Sequence, residues 1–339
     1  MRIGHANTDE RALIVAEIGN NHEGDVSVAH RLVELAADCG AGAVKVQVFR
    51  TADFVSRSDE ARYRRLQGFE LTPQDFAALS VAARARGLAF IATPLDLASA
   101  DALVPLVDAF KIASSDITFY PLLERVAASG KPVIISTGLS DLREVRETTA
   151  FIRRCWEGRG VRSSLAALHC VTAYPVPDDD LHLRAIGDMT RALDCEVGFS
   201  DHTIGIEAAV LSVACGATIV EKHVTLDKQY SDFRDHQLSA DPADLRELVR
   251  RVRAAERLLG DATKSVSPAA AGSVTALRRS IAAARTMSRG HRIETADLRW
   301  TRPGGGLEPG REGELVGKTL TRDVADGDRL SLGDVVGEP

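Results

Sequence analysis

Lysine is scarce in this chain. Only 7 of the 42 Lys and Arg residues are lysine, so arginine serves almost every solvated basic position. A lysine inside an apolar segment is therefore informative, and Lys45, Lys111 and Lys222 stand in such segments. Cysteine is also sparse: five residues (Cys39, Cys155, Cys170, Cys195, Cys215), odd in number and without a CxxC pair. That excludes a disulfide framework or a zinc site and predicts reduced thiols in a cytoplasmic protein. No apolar run approaches the ~20 residues of a membrane helix, and the opening MRIGHANTDER lacks a signal-peptide core, so no export is expected. A net charge of -6 argues against a nucleic-acid partner, which calls for a basic surface. With 45% hydrophobic residues the chain is not disordered. Its 339 residues exceed the ~250–300 of one compact core, so a large domain and a smaller one are expected.

One pattern recurs eight times. Short apolar or β-branched runs lie at 13–19, 43–49, 89–94, 109–114, 132–137, 165–171, 196–201 and 218–224. Amphipathic segments separate them, with apolar residues at helical spacing such as Val28, Leu32, Leu35 and Ala36, or Phe76, Leu79 and Ala83. The second segment opens on Thr72 and Pro73, an N-cap followed by proline in the first turn. Near-continuous apolar strands alternating with helices predict a parallel sheet covered on both faces. Eight such units in residues 1–260 predict a (β/α)8 TIM barrel. Residues 261–274 are small and polar and read as a linker. Residues 275–339 carry short strands and turns and predict a small β-rich domain.

A barrel of this kind carries its chemistry at the C-terminal ends of its strands. Those ends hold Glu17; Lys45 and Gln47; Thr93; Lys111, Ser114 and Asp116; Ser136 and Thr137; His169, Thr172 and Tyr174; Ser200, Asp201 and His202; Glu221 and His223. Residues two apart on a strand point the same way, which pairs Lys45 with Gln47, Ser200 with His202, and Glu221 with His223. His202 and His223 come from consecutive strands and can share a divalent cation; hydrogen bonding of His202 to neighbouring Asp201 is the plainer alternative. Lys111 with Thr93, Ser114, Ser136 and Ser200 suits a phosphate, although a barrel lysine can also form a Schiff base. Lys222 has the opposite parity to His223 and reads as structural. His22 and Glu23 either line the mouth or cap a turn. RPGGG (302–306) lacks the strand–turn–helix context of a dinucleotide fingerprint and reads as a flexible turn.

In order, AEIGNNHEGD, AGAVKVQVF, FIATPLD, FKIASSD, PVIISTG, LHCVTAYPVP, GFSDHTIG, VEKHVTLD and the RPGGG segment resemble the sialic acid synthase family, which includes legionaminic and pseudaminic acid synthases. The resemblance spans the chain and includes the C-terminal antifreeze-like (SAF) domain. It implies condensation of phosphoenolpyruvate with an N-acetylated mannosamine-type aldose to a nine-carbon 2-keto sugar acid plus phosphate. The family's divalent metal is typically Mn2+, with Mg2+ or Co2+ as alternatives. Carried over by position, His202 and His223 are metal ligands. Thr93, Lys111, Ser114, Ser136, Thr172 and Ser200 hold phosphoenolpyruvate, and Glu17, Lys45 and Gln47 flank the reacting carbons. Asp116, Tyr174, Asp235 and Arg302 contact the sugar. Arg302 reaches the partner subunit's barrel, which implies a domain-swapped homodimer. Asp116 and Thr172 replace the glutamate and asparagine of better-known members, a departure that bears on the acceptor sugar. Segment 52–70 carries no assignable motif. Two other readings stand beside this one: a metal-independent Schiff-base aldolase of the pyruvate type using Lys45 or Lys111, and a non-catalytic glycan-binding barrel.

Overall fold

Each of the eight apolar runs forms a strand in the computed structural model, which describes residues 1–337. The strands are β1 (Leu13–Gly19), β2 (Ala43–Val48), β3 (Ala89–Pro94), β4 (Ala109–Ile112), β5 (Val133–Ser136), β6 (Leu165–Cys170), β7 (Glu196–Asp201) and β8 (Ile219–His223). They pair in parallel with their sequence neighbours, and β8 closes on β1 in the register Glu221 to Val15 and His223 to Glu17. The (β/α)8 barrel is thus the architecture of this chain, followed by a small β-rich region.

Period-two alternation sorts the strand residues into two cores. One parity, including Ile14, Val44, Phe90, Phe110, Ile135 and Phe199, packs against the surrounding helices. The other parity fills the barrel, where Leu13, Val15, Ile91, Ile134, Leu168 and Ile219 form a separate apolar cluster. Further along the same inward rows stand Glu17, Lys45, Thr93, Lys111, Ser136, Ser200 and Glu221, all buried. The interior is therefore apolar at the strand beginnings and polar at the strand ends. Gly198 is needed between them: a Cβ there would lie 2.4 Å from the Ile219 carbonyl oxygen and 2.6 Å from a Leu168 methyl.

The helices follow the spacing. Helix α1 (Val26–Asp38) buries Val28, Leu32, Leu35 and Ala36, and Asp25 caps its first amides. Segment 52–70 folds as a short turn of helix, Thr51–Phe54, and a helix α2 (Glu60–Phe69) that buries only Leu66. Helix α3 (Pro73–Ala85) starts at Thr72 in a reciprocal capping box with Asp75. The barrel ends with α4 (Pro242–Leu259).

A second compact unit begins at Asp261. The segment read as a linker contains a helical turn at Pro268–Ala271, and another follows at Val274–Leu277. Antiparallel pairs follow, Ser280–Ala283 with Leu298–Thr301 and Thr319–Leu320 with Val335–Val336. Ile281, Met287, Ile293, Leu298, Leu315, Leu320 and Leu330 form its core. Residues 338 and 339 of the expected second domain lie outside the described residues.

Candidate active site

Two lysines and two glutamates meet where the inward rows turn polar. Glu221 Oε1 accepts hydrogen bonds from Lys45 Nζ at 3.0 Å and from Ser200 Oγ at 3.0 Å, and it lies 3.4 Å from Lys111 Nζ. Lys45 Nζ is also 3.3 Å from Glu17 Oε1. None of the four residues exceeds 5% exposure. Buried charges are costly singly, so each is tolerated because it faces the opposite sign. Burial alone disfavours the Glu221 carboxylate, but Lys111 and Lys45 outweigh it and hold the group well below the ordinary range. Burial likewise works against the Lys45 ammonium, yet Glu17 and Glu221 together keep its pKa above the usual amine value. Lys111 has Glu221 as its principal counterion and Lys45 as an opposing charge, and burial pulls its pKa down. Glu17 is pushed up to about 7, mainly by complete burial and against the pull of Lys45. A carboxyl poised there can exchange a proton at neutral pH.

The centre opens into a cavity of about 110 Å³ that brings together Glu17, Lys45, Gln47, Thr93, Lys111, Ser114, Ser136, Thr172, Tyr174, Ser200, His202 and His223. Thr93 Oγ1 and Ser136 Oγ are buried without a hydrogen-bond partner. Such hydroxyls are expensive unless an occupant uses them. Ser114 Oγ accepts from the Gly138 amide at 3.0 Å. Gly138 also lets the loop after β6 close in, since a Cβ there would lie 2.4 Å from Thr172 Oγ1. A larger cavity of about 610 Å³, lined by Val48, Phe49, Phe76 and Leu103, draws charge only from Arg50 and Glu70. The convergent chemistry is in the smaller one.

The two histidines stand together at the mouth. Their ring centroids are 5.7 Å apart, and Tyr174 packs 4.2 Å from the His202 ring. His202 Nδ1 lies 2.9 Å from the Val171 carbonyl, which can only accept, so this nitrogen carries the proton and Nε2 keeps its lone pair. The Asp201 alternative does not hold, because Asp201 accepts from Lys222 and Thr203 instead. Burial pushes the His202 pKa down to about 4 and that of His223 well below its ordinary value. His223 Nδ1 is buried without a partner. Two neutral imidazoles, one with an orphaned nitrogen, fit a divalent cation. Among the described residues no group of three or more His, Cys, Asp and Glu side chains is arranged as a complete metal cage. A cation held by these two histidines would need its remaining ligands from water or substrate.

The other sequence candidates lie outside this cavity. Asp116 is half-buried on the turn after β4, with its pKa raised by burial. Asp235 is buried on a short helical turn, and burial raises its pKa; its Oδ1 lacks a hydrogen-bond partner although Arg234 Nε lies 3.5 Å away. Arg302 is exposed in the second unit. Lys222 is fully buried in a pair with Asp201 at 2.9 Å and donates to the Thr203 carbonyl, the structural role its parity predicts. Glu23 neither caps a turn nor enters the cavity. It accepts from Ser231 and from His236 Nε2, which ties the loops after β1 and β8. Glu221 is among the strand-end residues, yet the resemblance gives it no role; in the structure it is the hub of the centre. Its inward parity was legible, but that it bridges two lysines depends on barrel closure. Cys170, 3.7 Å from His202 Nδ1, read only as a buried thiol.

Comparison with known proteins places the chain among relatives of one family. The NeuB family model matches residues 32–264 and the SAF domain model residues 278–336. The N,N'-diacetyllegionaminic acid synthase of Legionella pneumophila is 36% identical over 331 residues, 94% of this chain and 92% of that protein. The enzyme of the same name from Campylobacter jejuni is 34% identical, covering 94% and 98%. Among solved structures, the N-acetylneuraminic acid synthetase of Leptospira borgpetersenii in complex with citrate superposes with a TM-score of 0.75 at 30% identity, over 81% of this chain and 94% of that one. The motif order, the barrel with its buried lysine–glutamate centre, and family matches across both units lead to one assignment: the chain belongs to the NeuB family and ends in a SAF domain.

Proposed function

We propose that the chain condenses phosphoenolpyruvate with an N-acetylated mannosamine-type aldose to give a nine-carbon 2-keto sugar acid and phosphate. The observation that carries this reading is the convergence, in one cavity, of Lys45 and Lys111, both ion-paired to Glu221, with buried, unpartnered hydroxyls at Thr93 and Ser136. A small, doubly charged anion satisfies both cations and both hydroxyls together. Lys111 and the hydroxyls hold the phosphate, with Ser114, Thr172 and Ser200 around it, while Lys45 and Gln47 face the reacting carbons. Tyr174, Asp116, Asp235 and a partner subunit's copy of Arg302 receive the sugar in this reading, which makes the working form a homodimer. Five free thiols among the described residues suit a reducing cytoplasm.

The chemistry balances with one water. C3 of phosphoenolpyruvate forms a bond to the aldehyde carbon with the electron pair of its C2–C3 double bond, leaving C2 electron-deficient. The aldehyde oxygen ends as a hydroxyl by taking the proton that Glu17 removes from water in the next step. Water then adds to C2, and Glu17 accepts its proton. The bond from C2 to the phosphate oxygen breaks, the C2 hydroxyl passes its remaining proton to the departing phosphate and becomes the ketone, and Lys111 with Thr93 and Ser136 stabilises the resulting dianion. His202 and His223 hold a divalent cation, for which manganese is our proposal. When bound, that ion polarises a carbonyl oxygen as a Lewis acid.

Incubation with phosphoenolpyruvate, MnCl2 and N-acetylmannosamine or a 2,4-diacetamido-6-deoxyhexose is expected to release phosphate and form a 2-keto acid in equal amounts. Failure of every N-acylated aldose to support phosphate release would remove the substrate assignment.

A further inference from the structure

A chain of amides runs into the centre from outside it. Gln47 Nε2 donates to Glu17 Oε1 at 3.2 Å, and the Gln47 carbonyl oxygen accepts from Asn20 Nδ2 at 3.0 Å. Asn20 is the first residue after β1 and is 9% exposed. Its own Oδ1 is buried without a partner.

An amide of glutamine can present either its oxygen or its nitrogen in a given direction, and rotation about its last torsion exchanges the two cheaply. Only one orientation serves Glu17. With the NH2 group inward, Gln47 stabilises the carboxylate; with the oxygen inward, two acceptors face each other. Asn20 donates to the Gln47 oxygen and so holds the productive orientation. The unpartnered Oδ1 records the cost, since a buried acceptor without a donor opposes folding.

We infer that Asn20 is a positioning residue, which fixes the Gln47 amide so that its N–H faces Glu17. Its kinetic test rests on the condensation reading above, and its spectroscopic test does not. Asn20→Ala is expected to lower kcat/KM about tenfold, the worth of one hydrogen bond to a charged group's partner. The same change in a Gln47→Ala background is expected to cost less than about twofold, because there is no amide left to orient. Asn20→Asp keeps the shape but has no donor and is expected to lose at least as much as Asn20→Ala. The melting temperature of Asn20→Ala is expected to stay within about 2 °C of the native chain, because one hydrogen bond and one orphaned acceptor disappear together. In protein selectively labelled with 15N-glutamine, the Gln47 side-chain amide is expected to give one sharp, slowly exchanging NH2 pair that broadens or exchanges faster in Asn20→Ala.

Native turnover by both Asn20 variants, or equal losses with and without Gln47, would overturn the inference. An unchanged Gln47 amide signal in Asn20→Ala would do the same. If the native chain turns over no acceptor, the condensation reading fails and the amide signals alone decide the role of Asn20.

Discussion

Lys45 and Glu221 are joined at 3.0 Å across an intervening strand. They stand on β2 and β8, and β1 lies between them, so the pair bridges, inside the barrel, the two strands that flank the strand of Glu17. Removing one member leaves a buried charge without compensation. Glu221→Gln is expected to destabilise the protein by roughly 3–5 kcal/mol. Its melting temperature is expected to recover more on adding inorganic phosphate than that of the native chain, because Lys111 then lacks its principal counterion and Lys45 keeps only Glu17. Thermal melts with and without phosphate read both effects, and equal phosphate responses in the two proteins would contradict this account.

Glu17 gives the reaction a pH limb. It accepts a proton only when ionised and its pKa lies at about 7, so kcat/KM is expected to rise with pH and level off above that value. Glu17→Gln is expected to lose the limb together with most of the activity. The linked stability runs the other way. The folded carboxyl keeps its proton over a range in which the unfolded one, an ordinary solvated glutamate with a pKa near 4.5, has lost it. The contribution is present below 4.5 and lost as pH rises through about 7. Melting temperatures of the native chain and Glu17→Gln, compared without metal, are expected to show this difference.

His202→Ala and His223→Ala are each expected to abolish Mn2+ binding as measured by paramagnetic resonance of the free ion. A chelator is expected to stop turnover by the native chain. Borohydride with pyruvate is expected to leave no covalent adduct on Lys45 or Lys111, because both ammonium groups lie against Glu221. A trapped adduct together with activity in the chelator would favour Schiff-base chemistry.

Two buried lysines are expected to respond differently. Lys222→Met strands Asp201 outside the barrel interior and is expected to cost on the order of 3–5 kcal/mol in stability. The refolded fraction is expected to keep a near-native KM for phosphoenolpyruvate. Lys111→Met, at 3.4 Å from Glu221, is expected to raise that KM at least about a hundredfold. Steady-state kinetics paired with melting curves separates the two.

Much of this was legible before the structure. Parity along strands with near-continuous apolar runs puts Lys45 and Gln47 on a common side, likewise Glu221 and His223, and Lys222 opposite His223, because the side-chain period of a strand is fixed. Helix α2 was not legible: Arg62, Arg64 and Arg65 crowd its surface and Leu66 alone is buried, so no apolar stripe marks it. The Glu221 bridge and the Asn20–Gln47 contact join residues 176 and 27 positions apart. Their partners follow from barrel closure and side-chain rotamers, which local pattern does not encode.

The division of the barrel interior by height has a consequence for change in this protein. Leu13, Ile91, Ile134 and Ile219 carry packing at one end, and the charged and hydroxyl side chains carry chemistry at the other. A new acceptor specificity can be sought in the loops beyond the strand ends while the apolar floor goes on supplying stability. Conversely, a repacked floor can strengthen the molecule without touching what it recognises.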